Sequence, residues 1–163
     1  MDIESFLKDH GIDFQRFDHP AVFTCEESKS LNLDLPGIHT KNLFLRDEKG
    51  TRFFLVTVDC DKRVDLKELK KVLGTQKLSF ASPEKLKEYL GVEPGSVTLL
   101  GLVHDHHHHV EVFLDAPIFA ATHVQCHPLV NTATMVLSHA GLVSFLKLTK
   151  HDPQVIDVPE RQM

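Results

Sequence analysis

The sequence predicts an α/β chain of the α+β type, with helices flanking a mixed, curved, barrel-like sheet. Three observations point there. Segments with the twofold apolar period of strands and segments with the helical period follow one another irregularly, not in strict alternation. At least two pairs of neighbouring strands read as hairpins, which puts antiparallel strands in the sheet and argues against a doubly wound parallel one. No repeat or long linker interrupts the 163 residues. That length suits a single domain over 1–163 burying roughly 70% of its unfolded surface.

Each element has its own local cause. Ile3, Phe6, Leu7 and His10 share one helical face, and Gly11 stops that helix. Asp13 to Asp18 predicts a short strand carrying Phe14 and Phe17, which His19-Pro20 breaks. Thr24-Cys25-Glu26-Glu27 is a capping box opening a helix that ends near Leu31, so residues 19–23 form the loop leading into it. Leu35-Pro36-Gly37 is a turn, because proline fixes its own φ and glycine accepts a positive one. It delivers the chain to a strand at 41–46, which Asp47-Glu48-Lys49-Gly50 turns into a second at 53–58.

Asp65-Leu66-Lys67-Glu68 caps a helix whose stripe is Leu66, Leu69, Val72 and Leu73, and Gly74 ends it. Lys77 to Ala81 predicts a short strand. Ser82-Pro83 then pairs an N-cap with proline at the first helical position, and Leu86, Tyr89 and Leu90 carry that helix to Gly91. Pro94-Gly95 turns into a strand at 97–103, followed by another at 110–115. Pro117 to Ala121 is a short turn or helix, Val124-Gln125-Cys126 a strand end, and Thr132 to Leu137 the last central strand. Ser138 caps a helix containing Leu142, Phe145 and Leu146, and an edge strand is expected within 153–158.

Composition narrows the function classes. A net charge of −5 argues against a protein that coats nucleic acid generally, DNA included. The charge is uneven, however. Lys62, Arg63, Lys67, Lys70, Lys71 and Lys77 outnumber Asp65 and Glu68 by four, which leaves −9 elsewhere. Such a face suits one phosphate-bearing partner, and it equally suits a solvated helix face. No run of about 18 apolar residues is present, so no membrane span is expected. The start, Met1-Asp2-Ile3-Glu4-Ser5, lacks the basic and apolar regions of a secretory signal. Cys25, Cys60 and Cys126 are odd in number and lack CxxC spacing, which argues against a disulfide framework and for a reducing, cytoplasmic setting.

Two histidine patterns bear on chemistry. Between the strands at 97–103 and 110–115 lies His104-Asp105-His106-His107-His108-His109. Zinc sites recruit ligands from separated segments with supporting partners, so this run reads as a solvated hairpin tip, and no metal or cofactor is expected. The other pattern begins at the 35–45 stretch, where His39, Lys41 and Asn42 stand directly before the apolar Leu43-Phe44-Leu45. A cation and an amide at a strand mouth can bind a phosphate or an ester carbonyl, although lysine there also serves to block edge pairing.

A partner for Lys41 emerges at His127. Gly37-x-His39-x-Lys41-Asn42-Leu43-Phe44-Leu45, together with His127-Pro128-Leu129-x-Asn131-Thr132-Ala133-Thr134, resembles the stand-alone prolyl-tRNA editing proteins, of the superfamily of bacterial YbaK and the editing insertion of prolyl-tRNA synthetase. His19-Pro20-x-x-Phe23-Thr24, Leu78-Ser79-Phe80-Ala81-Ser82 and Gly95-Ser96-Val97-Thr98 are similar to further family segments in the same order. The resemblance implies a YbaK-like fold and a deacylase hydrolysing mischarged tRNA for proline. Alanine is its expected amino acid. Cysteinyl-, seryl- or threonyl-tRNA are alternative substrates. Lys41, Asn42 and His127 match catalytic positions; Val22, Phe23, Thr24, Gly37, His39, Pro128, Leu129, Asn131, Thr132 and Ala133 would bind substrate. Lys62, Arg63, Lys67, Lys70 and Lys71 would contact tRNA. The partners implied are the acceptor end of aminoacyl-tRNA and, as a candidate, prolyl-tRNA synthetase, with editing in trans and no membrane or DNA involved.

The chemistry asked of these residues is modest, because an aminoacyl ester is already activated. The site must hold it, stabilise an oxyanion and position a water. Lys41 and Asn42 are adjacent, so on a regular strand they face opposite ways and share a pocket only at a bulge or a pocket rim. Two other classes stay open on the sequence: a nucleophilic hydrolase using Cys126 or Cys25 with a histidine, and a non-catalytic module that binds tRNA or a synthetase.

Overall fold

The computed structural model describes residues 2–31 and 34–162. Its elements are α1 (Ile3–Asp9), β1 (Gln15–Asp18), α2 (Cys25–Ser30), β2 (Ile38–Arg46), β3 (Phe53–Asp59), α3 (Leu66–Leu73), β4 (Ser79–Phe80) and α4 (Pro83–Leu90). A 3₁₀ helix, Leu99–His104, precedes β5 (Val110–Asp115), α5 (Ala116–Ala120), β6 (His123–Cys126), β7 (Ala133–Ser138), α6 (His139–Leu148) and β8 (Gln154–Ile156). The eight strands form a curved, unclosed mixed sheet in the order β1-β7-β6-β2-β3-β5-β8, with β4 on β2.

Caps written into the sequence set the helix starts. Thr24 accepts from the Glu27 amide, Asp65 from those of Lys67 and Glu68, Ser82 from that of Lys85 and Ser138 from that of Gly141. α3 and α4 end on left-handed Gly74 and Gly91, where glycine carries no Cβ penalty.

The predicted hairpin of 41–58 is present, with β2 antiparallel to β3 from Thr40↔Asp59 to Arg46↔Phe53. β3 is apolar almost throughout because both of its faces are covered. Phe53 and Leu55 join the larger core, with α1, α4 and α6. Phe54, Val56 and Val58 join the smaller one, under Leu69 and Leu73 of α3. β5 and β8 extend this side in parallel, and β8 is the edge strand expected from the tail.

The strand expected at 97–103 is instead the buried 3₁₀ helix. Thr98 caps it by accepting from the Leu100 amide, and a Cβ on Gly101 would stand 2.8 Å from the Leu90 carbonyl oxygen of α4. An apolar run such as Leu99-Leu100-Gly101-Leu102-Val103 lacks a period that separates buried strand from buried helix. The histidine run is therefore not a hairpin tip. Buried Asp105 organises it, accepting from the amides of His109 and Val110 and facing His151 Nε2 at 2.9 Å. Among the described residues, no group of three or more His, Cys, Asp or Glu is arranged to hold a metal ion.

A second correction concerns the cysteines. Cys25 and Cys60 form a disulfide, with Cα atoms 5.9 Å apart and a sequence separation of 35. Sequence spacing could not reveal this, since the fold alone brings the start of α2 to the end of β3. The odd cysteine is Cys126, buried and free. Among the described residues, no helix is long and apolar enough to cross a membrane.

Candidate active site

The site is built on β2, a strand paired in two directions. Its first residues, Ile38 and His39, lie parallel to Val124 and Gln125 of β6. Its last, Leu45 and Arg46, pair β4 on that same side. Between them that edge runs without a strand ladder among the described residues, and the cavity opens there. A rim of this kind is what lets His39, Thr40, Lys41 and Asn42 all border one space despite alternating along the strand.

The turn before β2 is held from across the sheet. The buried Gln125 amide nitrogen lies 3.2, 3.1 and 3.2 Å from the carbonyl oxygens of Leu35, Pro36 and Gly37. Gly37 has φ +90°, and a Cβ there would lie 2.7 Å from the His123 carbonyl oxygen. Only glycine fits that approach of two backbones.

The 19–23 loop closes the opposite wall by prolonging the β1–β7 ladder. His19 donates its amide to Thr132 O at 2.9 Å, and Val22 to Asn131 O at 3.1 Å. The His19 ring, its Nδ1 2.9 Å from Pro20 O, reaches Thr134 Oγ1 with Nε2 at 2.8 Å. Thus the two sequence segments that flank the pocket meet through backbone, and Thr24 and α2 follow directly. Gly95 is the seat for Phe23: the aromatic Cδ1 lies 2.8 Å from where a Cβ would be. Phe23 remains 65% exposed, an aromatic face offered to solvent at the cavity mouth.

The cavity holds about 200 Å³. Of the residues singled out from sequence, Val22, Phe23, Thr24, His39, Lys41, Asn42 and His127 border it. Gly37, Pro128, Leu129, Asn131, Thr132 and Ala133 do not; they belong to the turn, the β6–β7 loop and the first position of β7. Cys25, Ser28, Thr40, Cys60, Gly95 and Val97 border it as well, beyond the substrate-binding set that the resemblance implies. Ser28 is traceable in principle, one helical turn after Thr24 in a capped helix. Cys60 is not, since nothing local marks the end of β3 as a pocket wall.

Electrostatics distinguish the polar groups. Burial pulls the Lys41 ammonium below the ordinary lysine range, Asp59 opposes this, and Arg63 pushes the same way. Asn42 Oδ1 accepts from Thr57 Oγ1 at 2.6 Å, which fixes the amide and leaves its N–H₂ arm for donation. His127 Nδ1 lies 3.1 Å from the Ala133 carbonyl oxygen, so Nδ1 carries the proton and Nε2 a lone pair. Burial lowers its pKa against the effect of that hydrogen bond, with His19 adding to the lowering. His39, 3.1 Å from Ser28 Oγ through Nε2, is likewise lowered, first by burial and then by His127 and Lys29. His39, Asn42 and His127 also border a small adjoining cavity of about 10 Å³ with Thr134 and Gln125.

The basic residues divide. Lys62 Nζ lies 2.7 Å from buried Asp115 and is only 19% exposed, so it ties β5 to the chain after β3. On α3, Lys67 and Lys71 are exposed and Lys70 is half-buried; Lys71 pairs with Glu68. As for a cysteine nucleophile, Cys126 is buried and that burial pushes its thiol up to about 12, while Cys25 is bonded to Cys60. Neither supplies a thiolate.

Comparison with known proteins gives one consistent picture. The profile of the aminoacyl-tRNA editing domain family matches residues 19–145. The prolyl-tRNA editing protein ProX of Acetoanaerobium sticklandii is 36% identical over 152 residues, 93% of each chain. The zebrafish (Danio rerio) prolyl-tRNA synthetase associated domain-containing protein 1 is 41% identical over 157 residues, 95% of this chain and 85% of that one. A solved structure described as a candidate trans-editing enzyme for prolyl tRNA synthetase superposes with a TM-score of 0.71 at 22% identity, covering 98% of this chain and 96% of the other.

Proposed function

The chain belongs to the aminoacyl-tRNA editing domain family, and from that membership we propose that it is a deacylase, one editing domain over 1–163, acting in trans on mischarged tRNA for proline and releasing alanine first. The observation that carries this reading is the meeting of Lys41, Asn42 and His127 with the 19–23 loop around a single open cavity. Prolyl-tRNA synthetase is the natural partner, since it makes the mischarged product.

The reaction needs no group beyond those side chains. The terminal ribose carries the ester into the cavity. Lys41 and the Asn42 N–H₂ arm supply positive charge and a donor to the oxygen that becomes negative as water adds. Neutral His127 offers Nε2 to accept a hydrogen from that water. The adjoining polar cavity, about the size of one water, gives the nucleophile its place between His39, Asn42 and His127. Phe23 presents an aromatic face on which a terminal base can stack. Lys67, Lys70, Lys71 and Arg63 contribute charge toward the acceptor stem.

The test is a panel of charged tRNAs with purified protein, in the presence and absence of EDTA. Release of alanine from tRNA for proline, unchanged by EDTA, supports the reading. Preferential release of serine, cysteine or threonine would move the substrate assignment. Tight tRNA binding without any hydrolysis would make the protein a binding module.

A further inference from the structure

We propose that the Cys25–Cys60 disulfide is the tether that holds α2 as a wall of the cavity, and that its redox state sets how strictly the site selects its amino acid. The selectivity half of this rests on the deacylase reading above; the tether does not.

The two half-cystines sit on different parts of the site. Cys60 follows β3, is buried, and donates its amide to His39 O at 2.8 Å, so it is fixed to the floor beside Lys41. Cys25 is the first residue of α2, directly after the Thr24 cap. Both border the cavity.

Among the described residues, α2 has little else to keep it there. It is six residues long and buries none of them. A helix that short has no independent stability in water and depends on tertiary packing. Besides the disulfide, its side chains are tied to the floor by the 3.1 Å Ser28–His39 hydrogen bond and by an ion pair between Lys29 and Asp61. That ion pair is solvent-exposed on both sides, so it adds little. The covalent bond is therefore the strongest constraint on the position of Ser28, and through Ser28 on the orientation of His39.

Reduction by a dithiol is balanced. Two electrons and two protons pass to the bridge, S–H bonds form on Cys25 and Cys60, and the reductant closes to its own disulfide. With the bridge open, α2 is free to move off the floor. The cavity then loses the rigid boundary that excludes a larger side chain, since exclusion by volume requires walls that do not yield.

The experiment compares the air-oxidised protein, the same protein reduced with dithiothreitol, and the Cys25→Ser/Cys60→Ser double variant. Thiol counts by mass spectrometry define each state. Hydrogen exchange reads the amides of 25–31, and initial rates are measured on alanyl- and prolyl-tRNA. The expected result is faster exchange in α2 on reduction and a prolyl-to-alanyl rate ratio raised about tenfold, the scale of a relaxed apolar pocket. The double variant should match the reduced protein and ignore the reductant, and reoxidation of the unmodified chain should restore both readouts. Unchanged α2 exchange after verified reduction overturns the tether with the deacylase reading intact. Faster exchange with an unchanged rate ratio overturns the selectivity role. Inertness toward every charged tRNA overturns the deacylase reading and the selectivity claim resting on it, while exchange still judges the tether.

Discussion

Lys41 is the residue on which the proposed chemistry depends most. It stands on β2 where the edge opposite β3 carries no strand ladder among the described residues, half-buried, and it borders the cavity. Removing a positioned electrostatic group of this kind lowers turnover by roughly 10²-fold or more. Lys41→Ala should therefore lose at least that factor in deacylation while circular dichroism shows an intact fold; near-native turnover would remove Lys41 from the catalytic set. His39 and His127 make a separate prediction about pH. Burial lowers both below the ordinary histidine value of 6.5. Below that value the unfolded chain takes up protons that the folded chain resists, so their contribution to stability is complete above about pH 6.5 and is lost as pH falls through the depressed folded values. Urea midpoints measured on acidification should drop, and the drop should be shallower in His127→Asn. An acid limb of identical slope in that variant would mean the ring is not held neutral.

At the level of elements, the turn 35–37 and α3 support the site in different ways. Gly37 combines a φ of +90° with a Cβ position 2.7 Å from a backbone oxygen that has no flexible end to move. Gly37→Ala should destabilise the fold by about 1–3 kcal/mol, read as a lowered urea midpoint at unchanged slope. A variant as stable as the parent would show that the turn can reopen elsewhere. α3 contributes charge: reversing Lys67, Lys70 and Lys71 to Glu should weaken tRNA binding and flatten its salt dependence, by roughly 0.7–0.9 in log–log slope for each phosphate no longer neutralised. An unchanged slope would return α3 to a solvated face. The caps on Thr24, Asp65, Ser82 and Ser138, and the β2–β3 hairpin, are legible in the sequence because their causes are local. The 97–103 run misleads because a buried apolar segment has no informative period. Likewise Cys60 enters the site only through long-range pairing, so no neighbour in sequence marks it, whereas Thr40 and Val97 lie within segments that the motifs already single out.

Across the whole molecule, the sheet order brings together what the sequence holds more than eighty residues apart. β1 beside β7 joins the 19–23 loop to 131–132, and β6 beside β2 sets His127 against His39 and Asn42. The motifs that resemble the editing proteins thus converge in space, and this convergence is the basis of the assignment. It also bounds selectivity. Val22 and Phe23 form apolar walls, while Leu129 and Ala133 do not border the cavity, so the predicted selection comes from the 19–25 wall rather than from the β6–β7 loop. A missing methylene in such a pocket changes affinity by only about 1–3 kcal/mol, whereas overfilling by a rigid ring is resisted more strongly. Alanine should leave fastest, serine and cysteine more slowly, and proline negligibly. The most direct test is the pair of initial rates on alanyl- and prolyl-tRNA for proline, measured side by side with the oxidised parent and Lys41→Ala. The predicted result is rapid alanine release by the parent, little proline release, and an alanine rate about 10²-fold lower in the variant. Proline released as fast as alanine, or alanine release indifferent to Lys41, would contradict a selective deacylase built on this cavity.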